Sequence, residues 1–176
     1  MIPAPVRLVL VAVAAVLALA GCAPATDGPL TFGTSEDTIC GPVELYAHPA
    51  LGTELRSDEP DAVIVITRVE PINPDGLDYI GASVMPLDPE GGGFMFSAYP
   101  PTEQFPDQWP LAEEAIGASF SSDSRAAIVT EFEYTATGTA SVEGLLVHYT
   151  VGETEYTART HLSMVISDQD CDEVAG

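Results

Sequence analysis

Residues 141–167 read SVEGLLVHYTVGETEYTARTHLSMVIS, and their period decides the fold class. Between Ser141 and Val151 the apolar side chains Leu145, Val147, Tyr149 and Val151 recur at every second position. Between Thr154 and Ser167, the series Tyr156, Ala158, Thr160, Leu162, Met164 and Ile166 does the same. A period of two places successive side chains on opposite faces of a strand, so both runs read as half-buried strands. Gly152-Glu153 between them is a two-residue turn with Gly first, which is hairpin chemistry. Val151 then faces Thr154.

The same pattern extends upstream. Ala127–Ala136 sets Ile128, Thr130, Phe132 and Tyr134 on one face and Val129, Glu131 and Glu133 on the other. Val43–Ala47 is expected as the first strand. Ala62–Val69 is almost continuously apolar, as a strand buried on both faces would be. Leu77–Met85 and Gly93–Ala98 follow, bounded by Asn73-Pro74-Asp75-Gly76 and Asp88-Pro89-Glu90-Gly91-Gly92. Proline presets φ in such turns, and Gly or Asn tolerates φ above zero. Pro110–Ala115 is expected to form a single helical turn. About seven or eight strands in roughly 130 residues predict an antiparallel β-sandwich in one domain, residues 39–172. The strand count, the spacing and the Tyr-rich terminal hairpin resemble the immunoglobulin-like modules common in bacterial surface lipoproteins. That resemblance implies a fold and no particular activity.

Composition narrows the function classes. The 176 residues hold 27 acids and five basic side chains, all of them Arg, for a formal charge of −22. Such an excess repels nucleic acid and anionic lipid as direct partners. The missing lysine removes P-loop, Schiff-base and Ser-x-x-Lys chemistry, each of which needs that amine.

The first 22 residues differ from the rest. Arg7 precedes an apolar run, Leu8 to Ala20, that ends in Gly21-Cys22. A short positive region, a core of about a dozen apolar residues and a small-residue site form a secretory signal layout. The run is shorter than the roughly 20 residues a spanning helix needs. Leu19-Ala20-Gly21-Cys22 resembles a bacterial lipobox. The resemblance implies a signal peptide over residues 1–21, cleavage before Cys22, and a thioether-linked diacylglycerol on the Cys22 thiol. It places the protein, palmitate-bearing, on the extracytoplasmic face of the cell membrane. The membrane is then its partner through the anchor at Cys22, and an envelope protein is a further expected partner. A lysine-free composition rich in Ala, Gly and Pro points to a GC-rich, actinobacterial type of genome. The remaining chain carries four Arg against 27 acids, a formal −23. Residues 22–38, small, polar and Pro/Gly-punctuated, are expected to be a flexible tether, and 173–176 an acidic tail.

With Cys22 lipidated, Cys40 and Cys171 remain, one before the first expected strand and one after the last. In an exported protein such a pair predicts a disulfide joining the two ends of the domain. Two sulfurs without a nearby His or third Cys make a poor metal site.

Catalytic readings fare worse. His48, His148 and His161 are the three imidazoles. In the expected hairpin His161 pairs with Gly144, four residues from His148, so the two lie roughly 13 Å apart and share no metal. Each is expected to be a solvated strand residue. Gly81-Ala82-Ser83-Val84 and Gly117-Ala118-Ser119-Phe120 lack the second glycine of a nucleophile elbow. Glu113-Glu114, Glu131/Glu133 and Glu153/Glu155 read as solvated charge. Asp168–Glu173 lacks the Gly at position six of a calcium loop. Met85, Met95 and Met164 are scattered, against a copper carrier. No catalytic residue, metal or cofactor is assigned. The unusual stretch is Gly91–Pro110, where Phe94, Phe96, Tyr99, Phe105 and Trp109 alternate with Pro and Gly. It is either a recognition loop for a ligand or a loop pinned over the sandwich by Trp109. The resulting expectation is a binding or interaction module at the cell envelope. An envelope-associated hydrolase and a cation or small-molecule capture module are the alternatives.

Overall fold

The computed structural model describes residues 25, 28–33, 37–169 and 171. The signal segment, Cys22 and the tail at 173–176 lie outside those residues. Thirteen strands are present among them: β1 Leu30–Phe32, β2 Thr38–Pro42, β3 Pro49–Ser57, β4 Val63–Pro71, β5 Leu77–Pro86, β6 Phe96–Ala98, β7 Glu113–Glu114, β8 Ser119–Ser121, β9 Ala126–Tyr134, β10 Ala140–Val142, β11 Leu145–Val151, β12 Thr154–Arg159 and β13 Ser163–Ser167. Single 3-10 turns occupy Val43–Leu45 and Trp109–Leu111. The fold is an all-β sandwich.

One layer is the sheet β1-β3-β9-β5-β7, with β6 also paired to β3. The other layer comprises β12-β11-β4-β8 and β10-β13-β2. These two sheets are halves of one hairpin. Gly144, at φ +129°, breaks the first arm between β10 and β11, and the second arm breaks between Arg159 and Ser163. A side chain at 144 would also meet the Thr160 carbonyl oxygen at 2.8 Å. The expected register holds from Val151 opposite Thr154 to Leu146 opposite Arg159, and shifts by one residue beyond the break, where Ala140 faces Ile166 and Val142 faces Met164. All pairings between the named strands are antiparallel except β2 with β13, which run parallel with Cys40 beside Val165. The disulfide Cys40–Cys171 spans this end of the domain, with Cα atoms 5.7 Å apart.

The main core lies between the layers. Leu51, Ile128 and Phe132 from one side meet Ile64, Ile66, Val147, Tyr149, Met164 and Ile166 from the other, all essentially inaccessible to water. Burying such side chains contributes roughly 1.5–3 kcal/mol each before entropy is counted.

Two burial expectations are corrected together. The strand β4 is buried on one face only: Ile64 and Ile66 are inward, but Val63 is 55% exposed. The strands buried on both faces are β3, over Pro49–Thr53, and β9, over Ala126–Thr130. The inner side chains of β9 enter the main core, whereas Ala127 and Val129 join Ala50, Met85, Leu87 and Phe94 in a second, smaller core on the outside of the sheet.

Two further expectations are corrected. Val43–Leu45 is a 3-10 turn and the strand precedes it, at Thr38–Pro42. The stretch 22–38, expected as a tether, supplies β1, whose Leu30–Phe32 pairs with Leu55–Ser57. Ala25 adds a parallel bridge to Tyr156. Leu30 is 4% exposed, so burial of that one apolar side chain outweighs the Gly/Pro signals around it.

Candidate functional site

The aromatic loop is built to cover apolar sheet. Gly52 in β3 brings backbone close enough that a Cβ there would lie 2.2 Å from the Phe94 ring. Phe94 and Phe105 form a tilted pair at 5.5 Å, and Tyr99 meets Trp109 edge-on at 5.3 Å. The chain is held down by Gly52 N donating to Met95 O (2.9 Å) and Tyr99 N to His48 O (2.8 Å). Phe105 N donates to Pro101 O (3.0 Å), and Trp109 N to Phe105 O (2.9 Å). Phe96 turns the other way, against Tyr46 at 4.3 Å and the main core. Of the five aromatic residues expected as a ligand loop, Phe94, at 2% exposure, is consumed by packing. The apolar outer face of β3, β5 and β9 required a cover.

One cation clamps the start of this loop. Arg125 donates through Nη1 to the carbonyls of Asp88 (2.8 Å), Pro89 (3.0 Å) and Gly91 (3.1 Å), and through Nε to Glu54 Oε1 (3.0 Å). The Arg125 guanidinium is the main reason the Glu54 carboxyl sits below its usual range, with Arg56 adding and burial opposing. No motif in the sequence marks Arg125. In a lysine-free chain every arginine is scarce, and that scarcity was the available signal.

Where the cover ends, beside β5 and β7, it leaves a groove of about 300 Å³. Its wall is Ile80, Gly81, Ala82 and Ser83 from β5, Tyr99, Trp109 and Ala112 from the loop, Glu113 and Glu114 from β7, and Glu131 from β9. Ile80 occupies an irregularity in the β5–β9 register and is 54% exposed. Leu111 and Ile116 nearby in sequence are 68% and 59% exposed. Burial raises the Tyr99 phenol above its ordinary value, the Ser83 hydroxyl opposes this and the Glu131 charge adds to it. The groove therefore offers carboxylates, two aromatic edges and exposed aliphatic side chains. That combination suits a cationic side chain flanked by apolar groups.

His161 is exposed as expected but lies in the break between β12 and β13 rather than in a strand, and His148 is not simply solvated. Its side chain is 16% exposed, and its Nε2 lies 2.8 Å from Glu70 Oε2 and 3.0 Å from Arg68 Nη2. One ring nitrogen cannot accept from Arg68 and donate to Glu70 together, so its tautomer selects the partner. Arg68 and His148 border a second hollow of about 340 Å³ with Thr67, Tyr149, Glu155 and Tyr156. His48 stands 3.9 Å from Glu131. Met85 and Met164 are fully buried, whereas Met95 is 49% exposed. Ser83 and Ser119 lie in β5 and β8. Among the described residues no three His, Cys, Asp or Glu side chains are grouped to hold a metal ion. Asp170 and Asp172 of the acidic segment fall outside them.

No family model matches the chain, and no curated protein matches it. Among solved structures it is similar to the ASH/PapD-like domain of human CEP192 (PapD-like domain 7). The two are 12% identical, with a TM-score of 0.39 over 87% of this chain and 92% of that one. Among the described residues no helix is long and apolar enough to cross a membrane.

Proposed function

We propose that this protein is an extracytoplasmic lipoprotein, anchored through Cys22, whose β-sandwich serves as an interaction module at the cell envelope. The observation that carries the anchor is the use of cysteine. Cys40 and Cys171 are joined to each other, which leaves Cys22, on its lipobox-like sequence, as the remaining thiol. Two acyl chains on it anchor stably where one is marginal. Palmitate labelling of wild type and Cys22→Ala tests this: label is expected in the wild type alone, and equal labelling refutes the anchor.

The interaction reading is supported by the groove beside β5 and β7. Its partner chemistry is a basic segment carrying apolar neighbours, matched to Glu113, Glu114 and Glu131 and to Ile80 and Trp109. A photo-crosslinking side chain at Leu111 in intact cells is expected to capture a discrete neighbour. Combined replacement of the three glutamates by Gln is expected to abolish that product. A crosslink unchanged by the glutamine variant refutes the groove as the contact surface.

A further inference from the structure

Within the segment expected to hold the domain away from the bilayer, Ala25 and residues 28–33 are instead part of the fold. Ala25 N donates to Glu155 O at 3.1 Å, and Thr157 N donates to Ala25 O at 2.9 Å, so residue 25 extends the free edge of β12. Gly28 passes beneath Tyr149 and Tyr156, which stack at 5.5 Å. A Cβ on Gly28 would lie 2.1 Å from the Tyr149 hydroxyl and 2.6 Å from the Tyr156 ring. Leu30 N then donates to Tyr149 Oη at 3.2 Å, and β1 pairs with β3. The chain thus crosses from the β12 edge of one layer to the β1 edge of the other. On the opposite side of the sandwich a second crossing runs from β7 to β8, with Ala115 N on Ala82 O (2.9 Å) and Gly117 N on Ile66 O (2.9 Å).

We propose that the β12/β1 side of the sandwich faces the bilayer surface and that the β7/β8 side, with its acidic groove, faces away. This rests on the lipidation of Cys22 proposed above. Cys22 and Ala25 are three Cα–Cα steps apart in sequence, and three steps span at most roughly 11 Å. A leash that short is comparable to the Debye length of about 8 Å at physiological salt, so the edge it holds sits at the headgroups rather than beyond them. Charge near that edge is compensated in part, with Glu153 and Glu155 of the β11–β12 hairpin exposed and outside the ion pairs among the described residues. Arg68 lies 3.2 Å from Glu70, and Arg159 lies 3.6 Å from Glu143. The uncompensated carboxylates Glu113 and Glu114 lie at the other extreme, on the strand farthest from β1 in its sheet. Four strand spacings of about 4.8 Å put them roughly 19 Å from that edge.

One row across a sheet measures this posture. Glu155 pairs with Thr150, Thr150 with Val65, and Val65 with Ser119. The row runs from β12 to β8 in three spacings, about 14 Å. The full chain, expressed with its anchor, is reconstituted into phosphatidylglycerol vesicles containing a nitroxide-headgroup lipid. A fluorophore is placed on E155C or S119C. Quenching at 155 is expected to exceed that at 119 severalfold. A Gly-Ser insertion of about ten residues between Cys22 and Ala25 adds roughly 16–19 Å of reach, and is expected to bring the two positions to the same quenching. Equal quenching in the uninserted, vesicle-bound chain overturns the posture. So does a contrast that survives the insertion, because the leash would not be its cause. A chain that fails to float with the vesicles refutes the anchor itself, a separate outcome that removes the posture with it.

Discussion

Removing the disulfide has a consequence that can be worked from the topology. Cys40 and Cys171 are 131 residues apart in sequence. In the chain-entropy description, closing a loop of that size removes about 17 cal/mol/K from the denatured ensemble, or about 5 kcal/mol at 25 °C. In the native state little changes on opening it. Residues Thr38–Pro42 remain bonded to Ser163–Ser167 along the parallel ladder, so the two ends stay neighbours. The cost therefore falls on the unfolded chain. For a domain of this size each kcal/mol moves Tm by about 2–4 °C, so the double variant C40A/C171A is expected to melt about 10–20 °C lower. The assay is thermal unfolding by circular dichroism on the mature chain, with Cys22→Ser in both proteins to prevent thiol exchange. Urea unfolding should show a steeper dependence on denaturant as well, because the opened chain exposes more surface. A fall below about 3 °C, with an unchanged denaturant slope, would refute the loop-entropy reasoning.

Other variants test the remaining elements. Phe94→Ala should lower stability by about 3–5 kcal/mol in chemical denaturation, as expected when a fully buried ring leaves a cavity; a loss near zero would mean the second core does not exist. Arg125→Ala should raise hydrogen exchange across residues 87–92 while β11 and β12 stay protected, and uniform exchange would refute the clamp. Because Arg125 depresses the Glu54 carboxyl, that pair stabilises the fold above the ordinary Glu value. Its contribution is lost as pH falls below that value and through the folded one, so the acid limb of a Tm–pH curve should flatten in the Arg125→Ala protein. Gly28→Val should release the crossing beneath Tyr149 and be read as faster proteolysis near the N-terminus with β4 and β9 intact.

The hairpin was legible because strand period and turn chemistry agree there, down to Val151 facing Thr154. Central strand β3 was not. Its sequence PALGTELRS has Gly52 in the middle and charges near its end, which break the apolar alternation. Those features are explained by what lies on it: Phe94 over Gly52, and Arg125 and Arg56 at Glu54. Long-range packing thus erased the local signal. The same holds for β9, whose second buried face depends on aromatic residues some 20–40 positions away in sequence. At the groove, Glu131, Glu113 and Glu114 looked like scattered surface charge, because only the β5–β9 and β5–β7 pairings bring them to one hollow. Tyr99 and Trp109 were legible by type, but their role as groove wall was not.

The place of Cys40 also sets how the molecule bears load. Under the anchor proposed at Cys22, a pull acts first on the bridge at Ala25 and on β1, which are held at sheet edges and can peel one bond at a time. That yields the slack between residues 22 and 40, roughly 60 Å when extended. There the tension meets a covalent cross-link to the far end of the domain. The N-terminal strands are thus an extensible element in series with a closed ring, able to lengthen under strain while the hairpin and the groove keep their shape.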